Sequence, residues 1–480
     1  MNYFVSPTKT ASVSQQINGI YVGKISRVVD NEVFVEVPSI INGFSFGPAI
    51  VTNFDALPVV NDIVVCGFLN NSLDEITVIG KLANFASASE LSSPLEPWAT
   101  GAKSTQATGL GDIISDPGST SYWGQRLALS GDGTRMVVGA TLYDVSPLSN
   151  NGLVRVLEWD GSDWNQIGDD FNGLVGNAQL GRAVAISQNG NVIVAATPNP
   201  SSGAGYVLAA DYVDGSWVSR TVLTGASSSS FGNSVGLSAD GMRIVIGSPG
   251  NDTVGGNAGA VHVYDWDGST WTQVGSTIFG ETAGDDFGTD VSISNDGTRI
   301  AVGAPDWNTG QGRVYVYEYS GGSWSLKGSE LEGYAAGAES MGTSVAISGD
   351  GNWVIGGEPD HSSSTGSIRV WEWSATSADW VVAQYIDGSA ASDRFGFDVS
   401  ISSDGQRIAV AAYGNDDNGS SAGVIRVYDW NGAKFNQVGG DFFRWPGDNY
   451  GNNVDMSADG RVVAGGTYLD PFFIKAFAFV

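Results

Sequence analysis

Between Phe287 and Ser340 the hydrophobic and polar positions fall into four short runs. Asp290-Val291-Ser292-Ile293-Ser294 alternates with period two, which predicts a strand with two distinct faces. Asp296-Gly297 follows. Such a pair adopts positive φ at both central positions of a type I′ turn, so a two-residue hairpin is expected. Arg299 to Ala304 predicts an apolar second strand, and a loop runs from Pro305 to Gln311. Arg313-Val314-Tyr315-Val316-Tyr317-Glu318-Tyr319 predicts a third strand, Gly321-Gly322 turns it, and Ser323-Trp324-Ser325-Leu326-Lys327 starts a fourth.

This pattern recurs in seven copies, starting at Trp123-Gly124, Leu180-Gly181, Phe231-Gly232, Phe287-Gly288, Met341-Gly342, Phe395-Gly396 and Tyr450-Gly451. The starting glycines are 57, 51, 56, 54, 54 and 55 residues apart. First-hairpin turns recur at Asp132-Gly133, Asn189-Gly190, Asp240-Gly241, Asp350-Gly351, Asp404-Gly405 and Asp459-Gly460, and the fifth copy replaces its second tight turn by Ser374 to Ala378. A four-stranded antiparallel meander of this length, repeated radially, is a propeller blade, so the fold class is all-β with a seven-bladed propeller. The seventh copy supplies three strands, the last at Phe473 to Phe479, while Thr108 to Ile114 reads like a fourth-strand segment. An N-terminal strand is therefore expected to complete blade seven and close the ring, which a linear solenoid would not require.

The copies resemble FG-GAP-type propeller repeats of bacterial surface proteins and marine viruses. The resemblance rests on Phe287-Gly288, Ser294-Asn295-Asp296-Gly297, Val302-Gly303-Ala304-Pro305 and Val314-Tyr315-Val316-Tyr317, and covers about residues 105 to 480. It implies a fold and no particular chemistry.

The N-terminal part lacks the repeat. Strands are predicted at Gly19 to Val28, Glu32 to Val37, Ala49 to Thr52, Asp62 to Leu69 and Glu75 to Leu82, a count that fits a small five-stranded OB-like barrel. Val60-Asn61-Asp62-Ile63-Val64-Val65-Cys66-Gly67-Phe68 with Ile76-Thr77-Val78-Ile79-Gly80-Lys81-Leu82 resembles OB-like domains of bacteriophage tail and baseplate hubs, tail fibres and spikes. That resemblance implies a docking module of a virion. The expected division is an arm (1–16), the OB-like docking barrel (17–84), a Ser- and Pro-bearing linker (85–104) and the propeller (105–480).

Composition narrows the function. With 22 Lys and Arg against 51 Asp and Glu the formal charge is −29, which opposes nucleic-acid binding and anionic membranes. Residues 1 to 84 hold four basic and seven acidic side chains, so −3 lies there and −26 in the remainder. The sole cysteine, Cys66, excludes an internal disulfide framework, and His262 and His361 lie in different contexts, so no metal centre or other cofactor is expected. The start of the chain has neither a basic n-region nor a long apolar h-region, so no cleaved leader is expected, and no run of eighteen apolar residues predicts membrane insertion.

The second-to-third strand loops and the blade connections are long and should share one face. Long loops on a rigid scaffold commonly carry recognition. The candidate recognition surface is Tyr143, Asp144, Asp252, Asp306, Trp307, Asp360, His361, Asp416, Asp417, Trp445, Tyr468 and Asp470. The bland alternative is that the loop aspartates hold turns by bonding backbone. A calcium loop at Gly414 to Gly419 is the sharper alternative, although it lacks the spaced acids and terminal Glu of an EF-hand. The third-strand aromatics (Trp159, Tyr212, Trp266, Tyr319, Trp373, Trp430) are expected to pack between blades, and His262 to sit on a strand surface. No acid is seen to stand apart from the repeat and no triad can be assembled, so no catalytic residue is assigned.

The expectation is a non-enzymatic bacteriophage virion structural protein, on a tail, baseplate or capsid exterior. It would dock to other virion proteins through residues 1–84, form a homo-oligomer within a symmetric particle, and present the propeller to a host-surface glycan or protein. The alternatives are a bacterial lectin-like adhesin and a glycan hydrolase.

Overall fold

The computed structural model describes residues 121–198, 203–334, 337, 339–443, 446–467 and 473–479, together with strands between 17 and 115; before residue 107 it gives the course of the backbone alone. The expected arm and linker lie outside the described residues, as do Trp445, Tyr468 and Asp470. The chain divides into two compact units, 1–104 with Val480, and 105–479.

In the first unit, strands Ile17–Val29, Glu32–Glu36, Ser45–Val51, Ile63–Leu69 and Ile76–Lys81 pair in the order first, second, third, fifth, fourth. The ladder closes because the first strand also pairs with the fourth, and the third and fifth run parallel.

The second unit is a seven-bladed propeller with four-stranded blades. Blade four shows the unit: Val291–Ile293, Arg299–Ala304, Arg313–Ser320 and Ser323–Leu326 follow one another antiparallel. Blade seven takes its outer strand from Ala107–Ser115, which pairs antiparallel with Phe473–Phe479, so the first and last strands of the unit share one sheet. The first strands of successive blades pack side by side in a closed circuit around the axis.

Seven apolar clusters, one at each blade-to-blade interface, form the core of the described propeller. The interface of blades three and four, for example, joins Val245, Val261 and Val263 to Phe287, Ile300 and Val302. This arrangement explains why second strands read as continuous apolar runs. Each lies between two neighbouring sheets, so both of its faces are buried, as along Val192–Thr197 and Arg407–Ala412. Each apolar side chain so buried contributes roughly 1.5–3 kcal/mol.

The residue that opens each copy is buried at every blade: Trp123, Leu180, Phe231, Phe287, Met341, Phe395 and Tyr450 are all at or below 2% exposure. Its glycine partner brings two backbones together. A Cβ on Gly303 of blade four would stand 2.0 Å from the carbonyl oxygen of Gly342 in blade five, so this position is bare in blade four, whereas blades two and six have Ala196 and Ala411 there.

The third-strand aromatics do pack, and they do so first within their own hairpin. Trp266 meets Trp271 at 5.2 Å, Tyr319 meets Trp324 at 5.1 Å and Trp373 meets Trp380 at 5.3 Å. The fourth-strand Trp then bonds across the interface. The indole N–H groups of Trp217, Trp271, Trp324 and Trp380 donate to Ile167, Thr221, Val274 and Lys327 carbonyls of the preceding blade. Blade six has Phe435 instead, and there Gln384 bonds the Phe435 backbone N–H and C=O at 2.5 and 3.2 Å, replacing the missing indole donor.

The first-hairpin turns differ from the expected two-residue I′ form. In each blade only the glycine has positive φ, and its N–H donates to the carbonyl three residues back, as from Gly297 to Ser294 at 2.9 Å. The result is a longer loop built on a type I turn with a left-handed glycine. Its side chains explain the preference for Ser and Asp. The Ser294 hydroxyl donates to Asp296 at 2.7 Å and accepts the Arg299 N–H at 3.0 Å, and the corresponding serine makes both bonds in all seven blades. Burial opposes ionisation of Asp296, but the donors from Ser294 and Thr298 prevail and hold its pKa below the usual value. Genuine I′ geometry is present at two second hairpins, Asp214-Gly215 and Gly321-Gly322, where both residues have positive φ.

Candidate functional site

The second-to-third strand loops and the blade connections share one face and are stitched together. Parallel bridges join Gly152 to Leu180, Gly259 to Phe287, Gly312 to Met341, Gly366 to Phe395 and Gly423 to Tyr450. At Gly259 a Cβ would lie 2.1 Å from the Phe287 carbonyl oxygen, and φ is +85°, so this junction excludes any side chain.

The loop aspartates mostly hold this structure. Asp144 accepts the Asn150 N–H at 2.6 Å, Asp252 the Asn257 N–H at 2.7 Å and Asp416 the Ser421 N–H at 2.5 Å. Asp417 pairs with Arg426 at 3.1 Å and accepts from Asn415 at 3.1 Å. In blades four and five the loop instead makes a short turn, Trp307–Gly310 or His361–Ser364, whose central residues have positive φ and which follows Asp306 or Asp360. Burial, and then the adjacent Asp306 carboxylate, raise the pKa of Asp286. Asp360 accepts from Ser340 at 3.0 Å and faces Arg394 at 3.4 Å.

Three candidate side chains are more enclosed than the sequence suggests. Tyr143 packs against the core between blades seven and one. Trp307 lies beneath the Arg313 guanidinium, 3.5 Å from its ring centre. His361 is not a solvated loop histidine, because Nδ1 lies 2.6 Å from Glu339 and the ring stacks on Tyr334 at 4.4 Å. His262 likewise departs from the expected strand surface. It is half-buried against Phe231, and burial lowers its pKa to about 4. The described candidates therefore lie on one face but do not converge on one point.

A second feature opens on the same face. First strands begin at the loop side and end at the tight-turn side, and together they wall a central pocket of about 610 Å³. Its outer rim includes Pro249, Asp286 and Phe397. Deeper, Arg126, Asp290, Asp398, Asn453 and Asp455 line it. The far end is closed. Backbone N–H groups donate around the ring from Gly131 to Gln188, Gln188 to Ala239, Ala239 to Asn295, Asn295 to Gly349, Asp350 to Ser403, Ser403 to Ala458 and Ala458 to Gly131. Across that ring the Gln188 side chain donates to Asn295 at 2.8 Å and to Ser403 at 3.1 Å, so blades two, four and six form a polar floor.

The pocket acids have a clear structural duty. A first strand is an edge, and its inward N–H groups have no strand partner. Asp290 accepts the Val345 N–H at 2.7 Å, Asp398 the Val454 N–H at 2.8 Å and Asp455 the Leu129 N–H at 2.7 Å, each in the next blade. Burial nevertheless dominates their ionisation. It raises Asp290 to about 6 and Asp398 to about 7, against the pull of these donors and of Arg126, and it raises Asp455 as well. Arg126 itself donates to the Gln125 carbonyl at 3.0 Å.

Sequence reading missed these groups, and the view that no acid stands apart from the repeat needs correction. Two residues after the opening glycine, the seven copies have Arg126, Ala183, Ser234, Asp290, Ser344, Asp398 and Asn453. A repeat aligned on Phe-Gly thus shows charged residues at a position where others are small. Glu358 is a further case: it stands where other blades have Ala140, Thr197, Ser248, Ala304, Ala412 and Thr467. It is wholly buried, 3.1 Å from Arg369, and accepts from Ser367 at 2.7 Å, while burial raises its pKa. Among the described residues, no three His, Cys, Asp or Glu side chains come together as a metal-ligand set.

Comparison with known proteins adds the following. No curated protein matches the chain. Its fold is similar to that of a Bacteroides uniformis protein assigned as a 6-phosphogluconolactonase, at 13% identity and a TM-score of 0.49, covering 90% of this chain and 98% of that one. That similarity carries no functional argument. Residues 223–264, 280–317 and 386–428 match the family described as FG-GAP repeat. Each match runs from the end of one blade through the third strand of the next, and the seven-bladed propeller thus contains FG-GAP repeats.

Proposed function

We propose that the protein is an attachment protein that binds a surface through the loop-bearing face of its propeller. The observation that carries this reading is the stitching of long loops to blade connections at five blades, which gives a rigid, polar surface on FG-GAP repeats. A rigid recognition surface loses little conformational entropy on binding. The reading is of a binding protein, not an enzyme, and the ligand is a glycan or protein of a host surface. Full-length labelled protein should bind intact bacterial cells saturably. Competition by extracted surface polysaccharide would identify a glycan, and no binding across a broad cell panel would remove the proposal.

We further infer that the N-terminal barrel is an OB-like docking module and that the protein belongs to a bacteriophage particle, as a homo-oligomer among other virion proteins. The closed strand order, with third and fifth strands parallel, supports the OB-like reading. The near-neutral charge of residues 1 to 84 favours docking by this end. Particles assembled with a chain lacking those residues should lose the protein by mass spectrometry. Their retention of it would overturn the docking assignment, and its detection on bacterial envelopes in place of particles would favour a cellular adhesin.

A further inference from the structure

The central pocket is blind, lined mostly by polar surface and open on the face assigned to attachment. We propose that it binds the end of a neutral saccharide chain. This rests on the attachment reading above and names the ligand class and the subsite.

The volume of about 610 Å³ lies within the range of small-molecule sites. Its chemistry is mixed rather than of one sign. Carboxyl groups at Asp290, Asp398 and Asp455 come from three blades and the Arg126 guanidinium from a fourth. Saccharide hydroxyls both donate and accept, so they suit such a wall better than an anion or a simple cation would. Asn453 is 2% exposed and serves the fold: its Oδ1 accepts the Gly466 N–H at 3.0 Å.

Among the described residues the pocket lining carries one aromatic ring. At the residue after the opening glycine the seven copies have Gln125, Arg182, Asn233, Thr289, Thr343, Phe397 and Asn452, so Phe397 alone is aromatic. Its ring is braced edge-on by Tyr413 at 4.6 Å and is half-buried at the pocket. A fixed apolar ring above a polar well fits the C–H face of a sugar, with the hydroxyl edge turned inward. The pocket lining ends at residues such as Leu129, Ile293 and Met456, and the contacts among Gln188, Asn295 and Ser403 close the axis beyond them, so the site takes a chain end and not a continuous strand threaded through the ring.

The test uses the full-length protein with a panel of neutral mono-, di- and trisaccharides, read by titration calorimetry and saturation-transfer NMR. Phe397→Ala should weaken binding by on the order of tenfold. Asp398→Asn keeps an acceptor for the Val454 N–H and so should preserve the fold, yet alter affinity or selectivity among the sugars. Val218→Ala, exposed on the outer strand of blade two and away from the pocket lining, should leave sugar affinity unchanged. No binding by any saccharide, equal binding by the pocket variants, or binding of free amino acids in place of sugars would overturn the proposal. Cell binding is measured in parallel. If cells bind while both pocket variants match the wild type, the subsite falls and the attachment reading stands; if sugars bind in the pocket but cells do not, the reverse holds.

Discussion

Buried carboxyls and bare glycines are the residues on which this ring depends most visibly. Asp398 and Asp290 take up protons more readily in the folded chain than when unfolded, because burial raises them to about 7 and about 6. Their contribution therefore favours folding most at low pH and is lost as pH rises from about 4 to about 7. The Arg126 charge opposes this trend, and Asp455 reinforces it. Asp398→Asn should flatten the pH dependence of urea unfolding in that window and stabilise the protein above it. A steeper decline would show that the carboxylate, not the neutral acid, is the stable form. Gly303→Ala should cost about 3 kcal/mol in the same assay, since its Cβ would meet the Gly342 carbonyl oxygen at 2.0 Å. The glycine was readable as part of the Val-Gly-Ala-Pro pattern, but the reason for it was not. The clashing atom belongs to the next repeat, 39 positions along the chain.

Among the elements, the segment Ala107–Ser115 is the one whose removal has the widest consequence. It is the only described partner of the outer edge of Phe473–Phe479, and without it that edge offers unpaired N–H and C=O groups. A chain starting at residue 105 should melt cooperatively, near the temperature of the full propeller. One starting at residue 121 should melt lower and aggregate. Equal melting of the two would remove the closing role. Fourth strands contribute through their indole donors: Trp324→Phe should cost about 1 kcal/mol, the worth of one hydrogen bond, unless a side chain substitutes as Gln384 does at Phe435. Strand positions were readable because alternation and turn residues act over a few positions. The first-hairpin turn type was not. The Ser294 hydroxyl stabilises a longer loop by bonding both Asp296 and the Arg299 N–H, and dipeptide preference alone does not contain that term.

At the scale of the whole molecule the loop-bearing face is held by its own carboxylates. Asp416 is committed to the Ser421 N–H, and Asp417 to Asn415 and Arg426. Calcium or a chelator should accordingly leave the melting temperature unchanged; a rise with calcium that Asp417→Asn abolishes would restore the calcium-loop alternative. The propeller also carries most of the negative charge, since −26 of −29 lies in residues 85 to 480. Attachment by this unit should then strengthen as salt screens repulsion from an anionic cell surface.

The seven repeats, the four-strand blade and the strand that completes the seventh were determined by the sequence itself, because period-two alternation and glycine turns are local signals repeated seven times. Which residues face the axis was decided by tertiary structure alone. Asp290 and Asp398 lie 108 positions apart, and only closure of the ring puts them on one wall with Arg126. The loop acids were visible as a recurring Asp, yet their partners lie in the folded loop. The floor of Gln188, Asn295 and Ser403 left no trace in any single repeat, because each blade contributes one side chain to a contact that exists only at the centre.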